Sequence, residues 1–368
     1  MTYKEYVMED ALEALIDYRG KTPKKSNSGI PTLSAKSVKN NQINYSECYY
    51  ISPDEYKRFM VRGFPKKGDI LLTTEAPLGM VARLDRDDVA IAQRLLTLRG
   101  KKDVLDNDYL LYLLQSPYGQ GLLKAKETGT TVTGIKQAEF RKIIVKLPDI
   151  EIQQKIGSIL RSIDDKISTN QKINDNLQQQ AQAIYTSMFI VNANPACERG
   201  YLSDLITVRY GKDHKNLADG SYPVYGSGGI MRHVERPLYD KESVLIPRKG
   251  TLNNVMYVNQ PFWSVDTMFY TEMQMPNVAK FIYHFVKSKD LASMNAGSAV
   301  PSMTTDILNA IEVIIPPASV LEEFEELVSP MYRAMQENDI QSEKLANLRD
   351  TLLPKLLSGE IDVSDIKI

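Results

Sequence analysis

The chain has 368 residues, 43% hydrophobic and 25% charged, with 45 Lys and Arg against 46 Asp and Glu. This is a globular composition, long enough for two domains of ordinary size, and a net charge of −1 argues against a uniformly basic nucleic-acid binder. No apolar run is long enough for a membrane span, Met1–Asp10 has no signal-peptide pattern, and neither Cys48 and Cys197 nor His214, His233 and His284 show disulfide or metal-ligand spacing, so a reducing cytoplasm is the expected compartment.

In chain order, the segment Leu12–Lys21 opens one domain and Leu202–Lys212 opens another, with one insertion. A Pro-led strand follows in each, Ile30–Ser34 and Tyr222–Gly226. Gly68-Asp69-Ile70-Leu71-Leu72-Thr73-Thr74 parallels Lys241-Glu242-Ser243-Val244-Leu245-Ile246-Pro247, a turn and then a buried strand in both. Met80–Leu84 and Val255–Val258 read as the next strands, and Ile91–Leu98 and Trp263–Tyr270 as the ones after. Then come a short apolar helix (Tyr109–Ser116 against Phe281–Ser288), a loop (Gly129–Val132 against Gly297–Val300) and a strand ending in Pro (Ile143–Pro148 against Ile311–Pro316). From the loop onward the two copies keep a constant separation of 168 residues, which marks an internal duplication.

Each copy continues into a heptad run. Ile156, Ile163, Asn170, Leu177 and Ile184 form one set of seam positions, and Leu160, Ile167, Asn174, Ala181 and Met188 the other. Near the C-terminus Phe324, Met331, Asn338, Leu345 and Leu352 repeat the first set, and Val328, Met335, Ser342, Arg349 and Leu356 the second. Asn170 falls on Asn338 at the same 168-residue spacing, and Arg349 is the poor fit. Each run predicts a helix roughly 50 Å long. The two are expected to pair antiparallel, with the Asn positions fixing register. The alternative is that each packs separately on its own domain. The expected fold is therefore α/β (α+β), two similar domains separated by two long antiparallel coiled-coil helices and related by a pseudo-twofold internal repeat. Its boundaries are 1–150, a helix over 151–192, 193–318, a helix over 319–358 and a tail over 359–368.

Charge is unevenly spread. Residues 1–147 hold 24 Lys and Arg against 18 Asp and Glu, a balance of +6, and the remainder carries −7. This fits a polyanion-binding head on an acidic frame, and it equally fits a solvated surface.

The order of these segments resembles one family, the specificity (S) subunits of Type I restriction–modification systems, over almost the whole chain. The resemblance rests on the strand Gly68–Thr74, the loop Gly129–Val132, the segment Ile144–Ile156 with Leu147-Pro148 leading into Glu151-Ile152-Gln153-Gln154-Lys155-Ile156, and the ending Leu352–Ile361. The second domain departs from it at Lys249-Gly250-Thr251 and Pro301. The resemblance implies two target recognition domains, each reading half of a bipartite site in double-stranded DNA. It implies helices that set the gap and dock two methyltransferase (M) subunits, with restriction/translocase (R) subunits joining the complex. It also implies no catalysis in this chain, S-adenosylmethionine and Mg-ATP belonging to the partners.

Lys and Arg on loops rich in Gly, Pro and Ser suit phosphate contact, and Thr, Asn and Tyr can add backbone or base contacts. The DNA-contact candidates in the first domain are Arg19, Lys21, Lys24, Lys25, Lys36 (with Lys39), Thr73, Thr74, Thr130 and Thr131. In the second they are Lys212, Lys215, Tyr225, Ser227, Arg248, Lys249 and Asn253. The bland reading for Thr73 and Thr74 is that they complete a strand, and it weighs more heavily. Lys57, Arg58, Arg62, Lys66 and Lys67 form a further basic run. Tyr225-Gly226-Ser227-Gly228-Gly229 reads as a tight turn, since it lacks the Lys-Ser/Thr of a P-loop. Trp263 reads as core. No nucleophile–base pair, amino-methyltransferase motif or nuclease carboxylate spacing is present, so a non-catalytic chain is expected. Two other readings compete with a DNA-reading subunit: an adaptor whose domains bind no DNA, and a fused enzyme, for which no spare length exists.

Overall fold

The computed structural model describes residues 2–39, 41–129, 133–193, 197–294 and 302–366. The chain divides into two compact units, Met1–Asn170 with Ile340–Ile368, and Gln171–Asp339.

The first unit opens with β1 (Tyr3–Val7), a short helix α1 (Met8–Ala11) and β2 (Leu12–Asp17). Next come β3 (Ile30–Leu33), β4 (Val38–Lys39), β5 (Gln42–Ile43), β6 (Tyr49–Ile51) and helix α2 (Pro53–Phe59). After β7 (Ile70–Thr73), β8 (Val81–Arg83), β9 (Ala90–Ile91) and β10 (Leu95–Gly100) stand helices α3 (Asn107–Gln115), α4 (Pro117–Ala125) and α5 (Gln137–Arg141). Strand β11 (Ile144–Pro148) leads into the long helix α6 (Ile150–Thr186), which ends in one π-helical turn over Ser187–Val191.

The second unit repeats the plan. It has β12 (Glu198–Tyr201), β13 (Ile206–Tyr210), β14 (Tyr222–Gly226), β15 (Gly229–Val234) and β16 (Ser243–Pro247), then β17 (Met256–Val258), β18 (Trp263–Ser264) and β19 (Met268–Met273). Helices α7 (Ala279–Lys287) and α8 (Thr305–Asn309) and strand β20 (Glu312–Ile315) follow, then the long helix α9 (Ala318–Ser358), whose residues from Ile340 belong to the first unit.

The duplication read from the sequence holds at the level of topology. The four-stranded sheet runs β2-β10-β7-β8 in one unit and β13-β19-β16-β17 in the other; the three-stranded sheet runs β6-β3-β9 and β15-β14-β18; a pair β1-β11 answers β12-β20. In each three-stranded sheet the last pair is parallel. α5 and α8, and the starts of α6 and α9, stand 168 residues apart.

Strands β7 and β16 are buried along their whole length because each serves two cores. Ile70 and Leu72 face the core that holds α3, and Leu71 faces the core under β3. Val244 and Ile246 face α7, and Leu245 faces the core under β14. A strand covered on both faces reads as an unbroken apolar run rather than an alternation. That is why the run was visible in the sequence while its register was not. The sequence match set Ile70 against Ser243, whereas the observed equivalent is Val244, a slip of one residue that would exchange the two faces. Two other expectations are corrected. Ile91–Leu98 and Trp263–Tyr270 are each two strands in different sheets, broken at Arg94, which has φ 72°, and at the turn closed by Met268 N donating to Val265 O.

The long helices run antiparallel within each unit. In the first, Arg349 Nη1 donates to Asp164 Oδ1 at 2.7 Å, and Asn170 Nδ2 donates to Gln341 Oε1 and Ser342 Oγ at 2.9 and 3.1 Å. In the second, Asn174 Nδ2 donates to Asp339 Oδ1 at 2.8 Å, and Asn338 Nδ2 to Asn174 Oδ1 at 2.8 Å. The Asn pair shared by the two heptad runs thus makes the same kind of bond in both copies. Of the seam residues, Ile156, Leu160, Ile163 and Asn170 are buried, while Ile167, Leu177, Met331, Met335, Leu345 and Leu352 are half-buried. The buried stripe moves one residue off the heptad, to Tyr185 rather than Ile184 and to Leu353 rather than Leu352. A straight helix returns to one face after about 29 residues, not 28, because it drifts about 20° per heptad.

Each unit ties its apolar helix to the long helices through a polar junction at the same place. In the first, Tyr112 of α3 donates its hydroxyl to Asp164 Oδ2 at 2.7 Å, and Asn41 Nδ2 donates to the same oxygen at 2.7 Å. Arg349, the misfit of the heptad, is the counter-charge. In the second, His284 of α7 stands where Tyr112 does, its Nδ1 against Gln182 Oε1 at 2.8 Å and its Nε2 against Tyr332 Oη at 2.9 Å. The amide oxygen only accepts, so Nδ1 carries the proton and Nε2 accepts from Tyr332. Burial, aided by the nearby Lys287 ammonium, holds His284 down at about 4.

Two predictions follow from these junctions. Asp164→Ala leaves Tyr112 and Asn41 without their acceptor and Arg349 with Asp350 alone, and should lower the stability of the first unit by about 2 kcal/mol, read as a shift in denaturation midpoint, with Arg349→Met costing less. His284 is neutral when folded and has a pKa of about 6.5 when unfolded. Its contribution is therefore complete above pH 6.5 and is lost as the pH falls through about 4, reaching about 3 kcal/mol. His284→Gln should flatten the pH dependence of stability between pH 6.5 and 4 in denaturant titrations.

Candidate nucleic-acid interface

In the first domain the segment after β2, the β7–β8 turn and the β9–β10 turn meet at one end of the four-stranded sheet. Glu75 joins them. Its carboxylate takes Arg19 Nη2 at 3.2 Å and Arg94 Nε at 2.8 Å. Beside it, Gln93 Nε2 lies 3.4 Å from Thr22 Oγ1. Arg94 and Ala76 both hold left-handed backbone, φ 72° and 53°, which costs a residue with a Cβ about 1 kcal/mol.

Lys21, Lys24, Lys25 and Lys36 are exposed. The loop that carries Lys24 is pinned by its amide donating to Glu55 Oε1 at 2.9 Å, and this bond, with Arg58, holds the Glu55 carboxyl below its usual range. Lys25 Nζ sits 4.7 Å over the Tyr49 ring. Of the further basic run, Arg62 is structural. It donates to Asp17 O at 2.7 Å and lies over the Tyr18 ring.

Thr73 and Thr74 are removed from the contact set. Thr73 is fully buried, its hydroxyl donating to Pro77 O at 2.6 Å and accepting from Met80 N at 2.9 Å, and Thr74 is 5% exposed with its backbone bonded to Arg94 and Ile135. Thr130 and Thr131 lie outside the described residues.

In the second domain the equivalent end of the sheet carries Lys212, Lys215 and Lys249, all exposed, with Arg248 5.4 Å over the Tyr210 ring. The Lys215 amide donates to Asp213 Oδ1, which holds that carboxyl below its usual range. Ser227-Gly228 is the two-residue turn joining β14 and β15, and Asn254 Nδ2 fixes it by donating to Ser227 O at 2.8 Å. Tyr225 is half-buried, edge-on to Phe262, and burial raises its phenol despite the Gln260 hydrogen bond. Asn253 is exposed but engaged, donating to Asp290 Oδ1 and accepting from Ala292 N. Trp263 is core, its indole donating to Lys212 O at 2.8 Å.

The two sheet ends share one backbone frame. Thr74 N donates to Arg94 O and Ile135 N to Thr74 O in the first; Arg248 N donates to Thr267 O and Met303 N to Arg248 O in the second, all at 2.9–3.0 Å. Glu75, Gln93 and Arg94 thus correspond to Lys249, Asp266 and Thr267. Glu75, Gln93, Arg94 and Tyr210 were missed in the sequence because nothing local marks them; only the two turns bring them together. Among the described residues, no group of three or more His, Cys, Asp or Glu is placed to hold a metal ion, and no helix is long and apolar enough to cross a membrane.

Two such domains, each with its half of a long helical pair, match the model of the Type I restriction modification DNA specificity domain at residues 8–179 and again at 199–342, and the chain belongs to that family. It is a specificity subunit of a Type I restriction–modification system carrying two copies of the domain. It is similar to the MjaIX specificity subunit of Methanocaldococcus jannaschii, 26% identical with 92% of this chain and 88% of that one covered. The HindI specificity subunit of Haemophilus influenzae is 22% identical over 89% of this chain and 94% of its own. In fold it resembles the crystal structure of a Type I S subunit from M. genitalium, with a TM-score of 0.64, 17% identity and 96% of both chains covered.

For duplex DNA bound by the assembled complex, Lys24→Gln and Lys25→Gln should each reduce the slope of log affinity against log salt by about 1. Thr73→Val should leave that slope unchanged while costing about 1 kcal/mol of stability, because Met80 N loses its acceptor.

Proposed function

We infer that each domain reads one half of a bipartite, asymmetric target in double-stranded DNA. The observation that carries this reading is the shared frame with unlike exposed side chains. One pattern of backbone hydrogen bonds presented twice with different side chains suits two different half-sites. The long helices fix a spacer of non-specific base pairs, since half-site separation is a geometric quantity. They also dock two methyltransferase subunits, to which restriction/translocase subunits add. The chain itself is non-catalytic, with S-adenosylmethionine and Mg-ATP held by the partners, and the complex works in the cytoplasm on chromosomal and incoming DNA.

The test is base-modification sequencing of the genome with and without this gene. One bipartite methylated motif should vanish on deletion, and exchanging residues 199–316 for those of a relative should change one half-site only. Unchanged methylation with an active partner methyltransferase overturns the reading, and a domain exchange that alters both half-sites overturns its modular form.

A further inference from the structure

We propose that Gln93 and Arg94, with Lys249, Asp266 and Thr267 on the second frame, stand at base-reading positions, and that Arg94 reads a guanine in the first half-site. The inference rests on the reading of each domain as a half-site reader.

Three observations carry it. The backbone hydrogen bonds that hold the frame are equivalent in both copies, although Arg94 is left-handed and Thr267 is not, and the side chains the frame carries differ. Glu75 is replaced by Lys249, Gln93 by Asp266 and Arg94 by Thr267, on backbone held by equivalent hydrogen bonds. Phosphates are alike along any duplex, so a surface that met only phosphate has no use for a carboxylate facing a lysine across the duplication. Base edges differ, and a reader must differ with them.

Second, Arg94 keeps a large exposed side chain on left-handed backbone that glycine would adopt without strain. Such strain collects where a side chain has to be aimed. Third, Glu75 approaches the Arg94 guanidinium most closely at Nε, the inner nitrogen, and Arg19 approaches the other carboxylate oxygen. A guanidinium ion-paired on its Nε side, on a side chain 55% exposed, keeps terminal amino groups to offer, the pair that meets O6 and N7 of guanine. Glu75 is then a positioning residue. On the second frame Asp266 is an acceptor of the kind that takes the amino group of cytosine.

The experiment uses the full complex in cells and reads its methylated motif. Arg94→Gly removes the guanidinium while suiting the left-handed backbone, so folding should not suffer. Preference for guanine should fall about 10- to 100-fold at one position of one half-site, with the other half-site and the spacer unchanged. Glu75→Gln should weaken the same position and no other. A motif unchanged by Arg94→Gly overturns the assignment while the specificity-subunit reading stands; a motif that persists when the gene is deleted overturns both. Should Arg94→Gly abolish methylation, the purified complex is titrated against duplexes carrying all four base pairs at each position. Equal loss on all of them assigns Arg94 to the phosphate backbone and overturns the base-reading role. Loss confined to one guanine supports it.

Discussion

The hydrogen bond between the apolar helix behind each sheet and the long helix beneath it is the contact on which each unit depends. Tyr112 to Asp164 and Tyr332 to His284 occupy the same place in the two copies. Each is largely shielded from water, and each engages both long helices, through Arg349 in one copy and Gln182 in the other. Apolar packing holds an α/β head on a helical pair but leaves it free to slide. A directional polar contact in a low-dielectric setting fixes the position, since any displacement leaves a buried group unpartnered. The head's β7 or β16 packs on the same apolar helix. The turns that carry Glu75 and Lys249 are thereby placed relative to the helices through one continuous set of contacts.

Much of this plan was legible in the sequence. The constant 168-residue spacing exposed the duplication because the loop, α5 or α8, the last strand and the long helix have kept their lengths. The heptad positions Ile156, Leu160 and Ile163 are buried as read, and Arg349 stood out as a misfit for a physical reason, its carboxylate partner lying on the other helix. Less legible was anything set by register. The strand match slipped by one residue because β7 and β16 are apolar on both faces and carry no alternation to anchor it. Ile91–Leu98 looked like one strand because the break at Arg94 is a matter of backbone angle, not composition.

The candidate interface was legible only as loops. Arg19 and Lys212 were picked out as basic residues on Gly- and Pro-rich segments, which are readable locally; that both lie at one end of a sheet was not. Thr73 is buried, in keeping with the weightier reading that it completes a strand; its place among the candidates arose because a hydroxyl that closes a turn looks, in sequence, like one that faces solvent. Glu75 and Arg94 are 19 residues apart, on two turns, and their meeting is a property of the sheet.

Gly157 and Glu325 occupy the same place on the two long helices, and their surroundings differ in a way that bears on how such a gene can be reshuffled. A side chain at Gly157 would run into Asp108 and Tyr109 of α3, while Glu325 accepts from the buried Lys280 of α7 at 2.6 Å. A crossover between the two repeats that falls after the apolar helix and before Gly157 or Glu325 would set a carboxylate against α3 in one product and leave Lys280 without that partner in the other. The breakpoints that preserve both junctions lie ahead of α3 and α7, so that each apolar helix is inherited together with the stretch of long helix that was shaped for it.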